Sequence, residues 1–256
     1  MTGHRVCVSR NCGSMARSIT IGAHRRAHHC RSHHLCDGVG PEHHARSEEL
    51  GRRNFGRMCA DSTRSSALPR IIAPKRYVDA RGWFCETFHE RRLRDIGITC
   101  RFVQDNQSSS TRAGTLRGLH FQVPPAAQAK LVSVVRGRIL DVVVDVRRGS
   151  ATLGKHVSVE LSAESGLQVY VPEGFAHGFV TLEDDVVVMY KTSAFYSPAH
   201  ERGILWSDPE IGFSWPFKSS EIILSEKDRS LPSLRELVSP FAYDGCPLAP
   251  LAKSSA

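Results

Sequence analysis

The chain has 256 residues, 41% of them hydrophobic and 23% charged, so most of it should fold, as one large all-β domain or two small domains. The formal net charge is +8, but residues 1–66 hold 11 Arg, no Lys and 5 acidic residues, which leaves a net of only +2 for the rest. The core therefore gives no reason to expect nucleic-acid binding. The sequence has no apolar run of about 18 residues, which predicts no helical membrane span.

Residues 1–66 differ in composition from the rest of the chain. They hold eight of the thirteen His and five of the eight Cys, and they show no sustained helical or strand periodicity. Four of these cysteines, together with nearby histidines, could form a zinc module: Cys7, Cys12, Cys30 and Cys36. Their spacings fit such a module poorly. We therefore predict that residues 1–66 are a disordered Arg/His/Cys-rich extension, or upstream sequence read in frame before a natural start near Met58.

From about Leu68 the sequence is typical of a β protein. The stretch IIAPKRYVDARGWFCETFHE predicts a strand, a turn and a second strand. FHERRLRDIGI predicts one short helix that ends at Gly97, and RFVQDNQSSST predicts a strand followed by a polar loop. Near the C-terminus, SEKDRSLPSLREL predicts a loop and a short helix.

Short Val-rich strands follow one another through the middle of the chain. They are LVSVV (131–135), ILDVVVDV (139–146), HVSVEL (156–161), LQVYVP (167–172) and VVVMYKTS (186–193). Their spacing of roughly 8–12 residues predicts a sandwich or barrel rather than a βαβ unit. The sequence contains neither GxGxxG nor a Walker motif, so no phosphate site at a helix N-terminus is expected.

Four polar residues lie in or beside these strands, where a simple sandwich would carry Val: His120, Lys130, His177 and Tyr190. A barrel interior gathers side chains from different strands into one cavity. Together these groups suit proton transfer beside a carbonyl, because His can abstract a proton, Lys can stabilise an enolate oxygen and Tyr can return a proton. Each residue taken alone is more often a packing or surface residue, so the prediction depends on the joint pattern.

The spacing of these residues resembles that of a cupin. Gly114, His120, Gln122, Lys130 and Gly137 follow the plan of the first cupin motif, and Gly166, Pro172, Gly174 and His177 follow the second. Gln122 stands where the second metal-binding histidine would be, and Lys130 stands where the metal carboxylate would be. A cation does not ligate a metal and two imidazoles alone make a weak site, so no metal is expected.

Longer motifs resemble one family within the cupins. LRGLHFQ, AQAKLV, VPEGFAHGF, MYKTS and FYSP are similar to dTDP-4-dehydrorhamnose 3,5-epimerases, and VDARGWFCE, FVQDN, ILW and SEKD fall in the family's order. The resemblance runs from about Ile72 to about Pro232. It implies an all-β cupin double-stranded β-helix, or jelly roll, with a few short peripheral helices over residues 67–245. Residues 246–256 are expected to form a flexible tail.

The resemblance also implies an activity. The expected reaction is epimerisation of dTDP-4-dehydro-6-deoxy-D-glucose at C3 and C5, which gives dTDP-4-dehydro-L-rhamnose for dTDP-L-rhamnose biosynthesis. It would need no metal, nicotinamide or flavin. An epimerase that acts at C3 or C5 alone stays open, as does, less favoured, a non-enzymatic cupin that binds sugars.

The resemblance assigns roles to matching residues. His120 would be the general base with Asp228 as its charge partner, Lys130 would neutralise the enolate oxygen, and Tyr190 would be the general acid. Tyr196 would stack on thymine. The other residues implied to bind the nucleotide-sugar are Arg81, Glu86, Gln104, Asp105, Asn106, Arg117, His177, Glu201 and Lys227. Among them, Arg81 and Arg117 suit the pyrophosphate because a guanidinium matches phosphate geometry in a fork.

The resemblance further implies a homodimer with exchanged N-terminal strands, in which Arg81 and Glu86 act on the partner's substrate. Neither nucleic acid nor a membrane is expected as a partner. The scattered Cys85, Cys100 and Cys246 are interpreted as reduced thiols, which predicts a cytoplasmic protein.

Overall fold

The computed structural model describes residues 67–256, so the predictions for residues 1–66 lie outside the described residues. The strands are β1 (Arg70–Ala73), β2 (Arg76–Asp79), β3 (Gly82–Cys85), β4 (Gln104–Ser110), β5 (Leu116–Gln122), β6 (Lys130–Arg136), β7 (Arg138–Asp145), β8 (His156–Ser162), β9 (Gln168–Val171), β10 (Phe175–Thr181), β11 (Val186–Thr192), β12 (Glu201–Gly203) and β13 (Ala252–Ser255). The helices are α1 (Glu90–Asp95) and α2 (Glu226–Arg229), with short 3-10 turns at Pro198–His200 and Leu234–Glu236. No helix among residues 67–256 is long and apolar enough to cross a membrane.

Two sheets form a sandwich. One has six strands in the order β13-β1-β9-β6-β11-β4, and the other has five in the order β12-β5-β10-β7-β8. Apolar side chains from both sheets pack into one cluster, which includes Val132 and Val188 from the first sheet and Val143 and Phe175 from the second. The all-β jelly roll expected from the sequence is therefore confirmed.

The five-stranded sheet is also covered on its outer face. Val142 and Val144 pack there with Ile204, and the partly buried Trp215 and Phe241 of the C-terminal region close over them. Ile139 and Val143 alternate with these valines and face the other sheet. Burial on both faces explains why ILDVVVDV is a nearly continuous apolar run.

The β2–β3 hairpin predicted from the sequence is present as a separate two-stranded sheet. Its large apolar side chains are mostly in solvent: Tyr77 is 43% exposed, Val78 80%, Trp83 58% and Phe84 64%. Four such residues on one small element form an apolar surface that the other described residues leave exposed.

Helix α1 agrees with the prediction, since His89 caps its N-terminus and Gly97, with a φ of +86°, follows its last turn. Other predictions differ. The segment RFVQDNQSSST, expected to be a strand that ends in a polar loop, forms its strand over the polar residues: QDNQSSS is strand β4 and pairs with β11 along its whole length. The C-terminal helix is reduced to α2 and a 3-10 turn.

The prediction of a flexible tail at residues 246–256 does not match the structure. Cys246 is buried, and β13 pairs in parallel with β1, with Arg70 opposite Ala252. Strand β1 would otherwise be the edge of the six-stranded sheet, with a row of unpaired backbone groups that can pair with another strand. The short polar segment AKSS therefore forms a strand without a strand-like side-chain pattern.

Candidate active site

Two adjoining cavities open between the sheets, with volumes of about 480 and 290 Å³. His120, Lys130 and Tyr190 line both of them. His120 belongs to β5 of the five-stranded sheet, whereas Lys130 and Tyr190 belong to β6 and β11 of the six-stranded sheet. The sandwich thus brings together a base, a cation and a phenol that lie far apart in the sequence.

His120 is hydrogen-bonded to Asp228. Its Nε2 lies 2.6 Å from Asp228 Oδ1, and the Asp228 side chain is only 6% exposed. Ser225 caps the short helix α2 and accepts a hydrogen bond from the Asp228 backbone N–H, which fixes the carboxylate under β5. Burial opposes ionisation of Asp228, but the hydrogen bond and charge of His120 outweigh it, so the pKa of the carboxyl lies below its ordinary value.

Strands β5 and β10 approach each other closely beside His120. A Cβ on Gly118, whose φ is +117°, would lie 2.7 Å from the carbonyl oxygen of His177. A Cβ on Gly178 would likewise lie 2.7 Å from the carbonyl oxygen of Arg117. Only glycine permits this approach, which sets His120 directly opposite His177 in the ladder.

His177 has its own carboxylate partner, which the sequence analysis did not identify. Its Nε2 lies 2.8 Å from Oδ2 of Asp141, and both side chains are buried. Asp141 interrupts the Val-rich run of β7 at a position that faces the other sheet, between Ile139 and Val143. An acidic residue at an inward position of a buried strand was the available signal.

Lys130 begins β6 and donates a hydrogen bond from Nζ to the carbonyl oxygen of His120 at 3.3 Å. Burial lowers the pKa of Lys130 to about 8, although the nearby charges of Asp141 and Glu201 partly offset the effect. At pH 7 the ammonium form therefore prevails, but the proton is held much less firmly than on an ordinary lysine.

Tyr190 lies in the centre of β11, opposite Asn106 of β4 and Val132 of β6. Burial raises the pKa of its phenol, with a further increase from Glu201 and an opposing effect of Arg117. The hydroxyl therefore remains protonated across the neutral range and is able to donate a proton.

Tyr196, Glu201 and Lys227 form a second cluster of polar side chains, at the rim of the smaller cavity. The hydroxyl of Tyr196 donates a hydrogen bond to Oε2 of Glu201 at 2.6 Å, and Lys227 Nζ lies 2.5 Å from the same oxygen. The Tyr196 residue remains 53% exposed, so one face of its ring is available to a ligand.

Most residues predicted from the sequence line these cavities or pair with residues that do. They are Gln104, Asn106, Arg117, His120, Lys130, His177, Tyr190, Tyr196, Glu201, Lys227 and Asp228. Lining residues that the sequence analysis did not identify include Ser108, Thr115, Phe179, Ile223 and Gln128.

Three predicted residues do not reach the cavities of this chain. Arg81 is exposed and pairs with Asp79, and Glu86 pairs with Arg92. Asp105 lies on the outer face of β4, where it pairs with Lys191. Strand alternation explains this position, because the inward side chains of β4 are those of even-numbered residues such as Gln104 and Asn106.

Among residues 67–256, no group of three or more His, Cys, Asp or Glu side chains is arranged to hold a metal ion. Gln122, at the position of a metal-binding histidine in the cupin motif, is engaged with backbone groups. Its amide donates to the carbonyl oxygen of Ala126 at 2.7 Å and accepts from the Ser197 N–H at 2.7 Å.

A jelly roll that holds an imidazole–carboxylate pair, a half-buried lysine and a phenol in one cavity has the groups that move protons beside a carbonyl, which is the chemistry of a cupin-type isomerase. The sequence model of the dTDP-4-dehydrorhamnose 3,5-epimerase family matches residues 69–236. A dTDP-4-dehydrorhamnose 3,5-epimerase of Sinorhizobium fredii is 52% identical over 179 residues, which cover 70% of this chain and 91% of the relative.

Solved structures of 3,5-epimerases are similar to this chain as well. The Bacillus anthracis dTDP-4-dehydrorhamnose 3,5-epimerase with TDP and PPi bound is 47% identical, with a TM-score of 0.63 over 64% of this chain and 93% of that one. The Legionella pneumophila dTDP-6-deoxy-D-glucose-3,5-epimerase in complex with dTDP-4-keto-L-rhamnose is 42% identical, with a TM-score of 0.65 over 69% and 94% of the two chains. The chain belongs to the dTDP-4-dehydrorhamnose 3,5-epimerase family.

Proposed function

We propose that this protein inverts C3 and C5 of dTDP-4-dehydro-6-deoxy-D-glucose and so produces dTDP-4-dehydro-L-rhamnose. The observation that carries the proposal is the placement of the His120–Asp228 pair and Tyr190 on opposite sheets of one cavity, with Lys130 lining the same space. Inversion requires a proton to leave one face of the sugar and another to arrive at the opposite face. A base and an acid on facing sheets supply that arrangement.

The C4 ketone of the substrate acidifies the C–H bonds at C3 and C5. His120 removes the proton, and Asp228 stabilises the imidazolium that results, as the carboxylate of a catalytic triad does. The ammonium of Lys130 neutralises the enolate oxygen at C4. Tyr190 then protonates the other face, and the raised pKa of its phenol keeps that proton available. These steps need no metal, nicotinamide or flavin.

The nucleotide part of the substrate is assigned to the rim. Gln104 and Asn106 line the smaller cavity beside the exposed ring of Tyr196. We infer that this ring stacks on thymine, an interaction worth about 1–3 kcal/mol per base. Arg117 lines the larger cavity and suits the pyrophosphate through its guanidinium fork.

The test of this function is the reaction in deuterium oxide, followed by NMR of the early product. Each inverted carbon should gain one solvent-derived deuterium, so label is expected at both C3 and C5. Label at a single carbon would refute the double inversion and favour a single-centre epimerase. The Tyr190→Phe variant keeps the ring but loses the donor, so it should exchange substrate hydrogen faster than it forms inverted product. Unimpaired inversion in that variant would show that another residue is the acid.

We also propose a homodimer with exchanged N-terminal strands. The apolar surface of the β2–β3 hairpin supports it, as do the positions of Arg81 and Glu86 away from this chain's own cavities. Sedimentation equilibrium should give a dimer, and Trp83→Arg with Phe84→Arg should shift it toward monomer with loss of activity. A fully active monomer would contradict the proposal.

A cytoplasmic location is proposed from cysteine chemistry. Among residues 67–256, Cys85 and Cys100 form no disulfide. Thiols stay reduced in the cytosol, whereas secreted proteins tend to form disulfides. Fractionation of cells that make the protein tests the location.

A further inference from the structure

The backbone that carries Tyr196 is held by glutamine side chains. Strand β11 ends at Thr192, and the irregular residues 193–197 lead from it to the next 3-10 turn. Gln128 donates from its amide to the carbonyl oxygen of Ala194 at 2.7 Å, and Gln104 accepts from the Tyr196 N–H at 3.0 Å. Side chains thus satisfy backbone groups that a strand ladder would otherwise satisfy.

Gln122 holds this segment on both sides of Tyr196. Its Nε2 donates to the carbonyl oxygen of Phe195 at 3.2 Å, and its Oε1 accepts from the Ser197 N–H at 2.7 Å. Phe195 and Ser197 are the immediate chain neighbours of Tyr196. The second Nε2 hydrogen bond goes to the carbonyl oxygen of Ala126 at 2.7 Å, so the same amide ties the segment to the loop after β5.

A primary amide is the side-chain group that suits this task. It offers two donors and an acceptor on one planar end, and here both donors and the acceptor are used. A carboxylate would only accept, and it would face two carbonyl oxygens without a proton to share. Gln122 is 3% exposed, so water does not replace a hydrogen bond that is lost there.

We propose that Gln122 is a positioning residue for nucleotide recognition, whose amide fixes the backbone on both sides of Tyr196 and so presents the ring to the base. The proposal rests on the proposed stacking role of Tyr196. The ring is then anchored at two ends, through its backbone by Gln122 and through its hydroxyl by Glu201. Ordering the ring before the ligand arrives raises affinity, because less conformational entropy is lost on binding.

The first test is Gln122→Met, which keeps the length of the side chain and removes its hydrogen bonds. The Kd of dTDP by calorimetry and the KM of the substrate should each rise about tenfold, or about 1.4 kcal/mol. The kcat should change less than about threefold, because the reacting groups are untouched. Inhibition by inorganic pyrophosphate, which has no base, should not change. A fall in kcat with unaltered dTDP affinity would overturn the proposal.

Gln168→Met is the matched control. Gln168 is also buried, at 4% exposure, and its amide donates to the carbonyl oxygen of Thr87 at 2.8 Å, outside both cavities. It should lower the Tm to a similar extent as Gln122→Met while leaving the Kd of dTDP unchanged. Equal losses of dTDP affinity in the two variants would mean that Gln122 acts only on stability, which contradicts the proposal.

A double-mutant cycle separates this proposal from the proposed function. If Gln122 acts through Tyr196, then Gln122→Met should weaken dTDP binding by less than about twofold once Tyr196→Ala is present. If Tyr196→Ala itself weakens dTDP binding and the effects of the two substitutions on the Kd are fully additive, the positioning role of Gln122 is overturned. The stacking role of Tyr196 would stand in that case. An unchanged Kd in Tyr196→Ala would overturn the stacking assignment and the positioning role with it.

Should Gln122→Met fail to fold, Gln122→Glu supplies an independent readout. Burial at this position raises the pKa of a carboxyl, and its protonated form regains one donor beside its acceptor. The dTDP affinity of this variant relative to the unmodified protein should therefore recover as the pH falls toward 5. A ratio that stays constant with pH would contradict the proposal.

Discussion

His120 and Asp228 act as a unit, because a 2.6 Å contact joins the imidazole to a buried carboxylate. We predict that His120→Ala lowers kcat by more than about a thousandfold, since a base acts mainly in the transition state, whereas dTDP affinity changes less than about threefold. Asp228→Asn should be milder but still large, because the imidazolium loses its charge partner. Single-turnover rates and calorimetry with dTDP measure the two quantities.

Near-normal turnover in His120→Ala would place the base elsewhere, with His177 as the next residue to test. Its own partner Asp141 gives His177 a comparable environment, with an imidazole–carboxylate contact of 2.8 Å.

The pKa of Lys130 predicts the pH above which the kcat declines. Burial lowers its pKa to about 8, so the ammonium that stabilises the enolate is present below that pH and is lost as the pH rises through it. The kcat should therefore fall above about pH 8. Tyr190 does not account for this limb, because the pKa of its phenol is raised above an ordinary value that is itself far more alkaline.

Lys130→Arg tests the assignment, since a guanidinium stays charged beyond pH 12. Whatever activity this variant keeps should persist through pH 9 rather than decline. If the kcat declines near pH 8 in the unmodified protein and in Lys130→Arg alike, the decline is due to another titrating group.

At the scale of elements, the close approach of the neighbouring strands β5 and β10 sets the spacing of His120 and His177. We predict that Gly178→Ala lowers the free energy of unfolding by about 1–3 kcal/mol and also impairs kcat, because the new Cβ would meet the Arg117 carbonyl oxygen at 2.7 Å. Gly149→Ala is the control, since nothing lies within 4 Å of its Cβ and only its φ of +81° opposes the change. Urea unfolding and a rate assay measure both effects, and equal rates in the two variants would contradict the prediction.

Strand β4 shows where element prediction fails. QDNQSSS has none of the Val, Ile or aromatic residues that favour strands, and the sequence predicts only that RFVQDNQSSST starts as a strand and ends in a polar loop. Its backbone nevertheless pairs with β11 from Gln104 to Ser110. Its inward side chains line a polar cavity rather than an apolar core. The requirements of the site therefore explain why this strand lacks the usual alternation of apolar and polar residues.

At the scale of the whole molecule, the family match begins at residue 69 and the described structure at residue 67. We predict that a chain beginning at Ala67 keeps its fold and retains kcat within about tenfold, which corresponds to about 1.4 kcal/mol. Circular dichroism and the epimerase assay on both lengths provide the check. Failure of the shorter chain to fold would show that residues 1–66 contribute to the domain.

The shorter chain also gives a clean test for metal dependence, since it lacks the Cys- and His-rich residues 1–66. Activity should survive strong chelators, because Lys130 and Gln122 occupy would-be ligand positions and Gln122 is hydrogen-bonded to backbone. One equivalent of bound metal, with activity lost on its removal, would refute this prediction.

The sequence by itself determined the jelly roll, the family and most of the side chains in the cavity. The Val-rich strands at regular spacing are local signals, and so are the glycines that stand at cupin-motif spacing from His120 and His177, because short stretches of sequence contain them. The tertiary structure decided which groups act as pairs. Asp141 meets His177, Gln122 meets the neighbours of Tyr196, and β13 covers β1 only after distant segments have packed. Such contacts depend on the order of strands in each sheet and on the face of the sheet to which each side chain points. Hydrophobic burial over the whole molecule determines both the strand order and the facing.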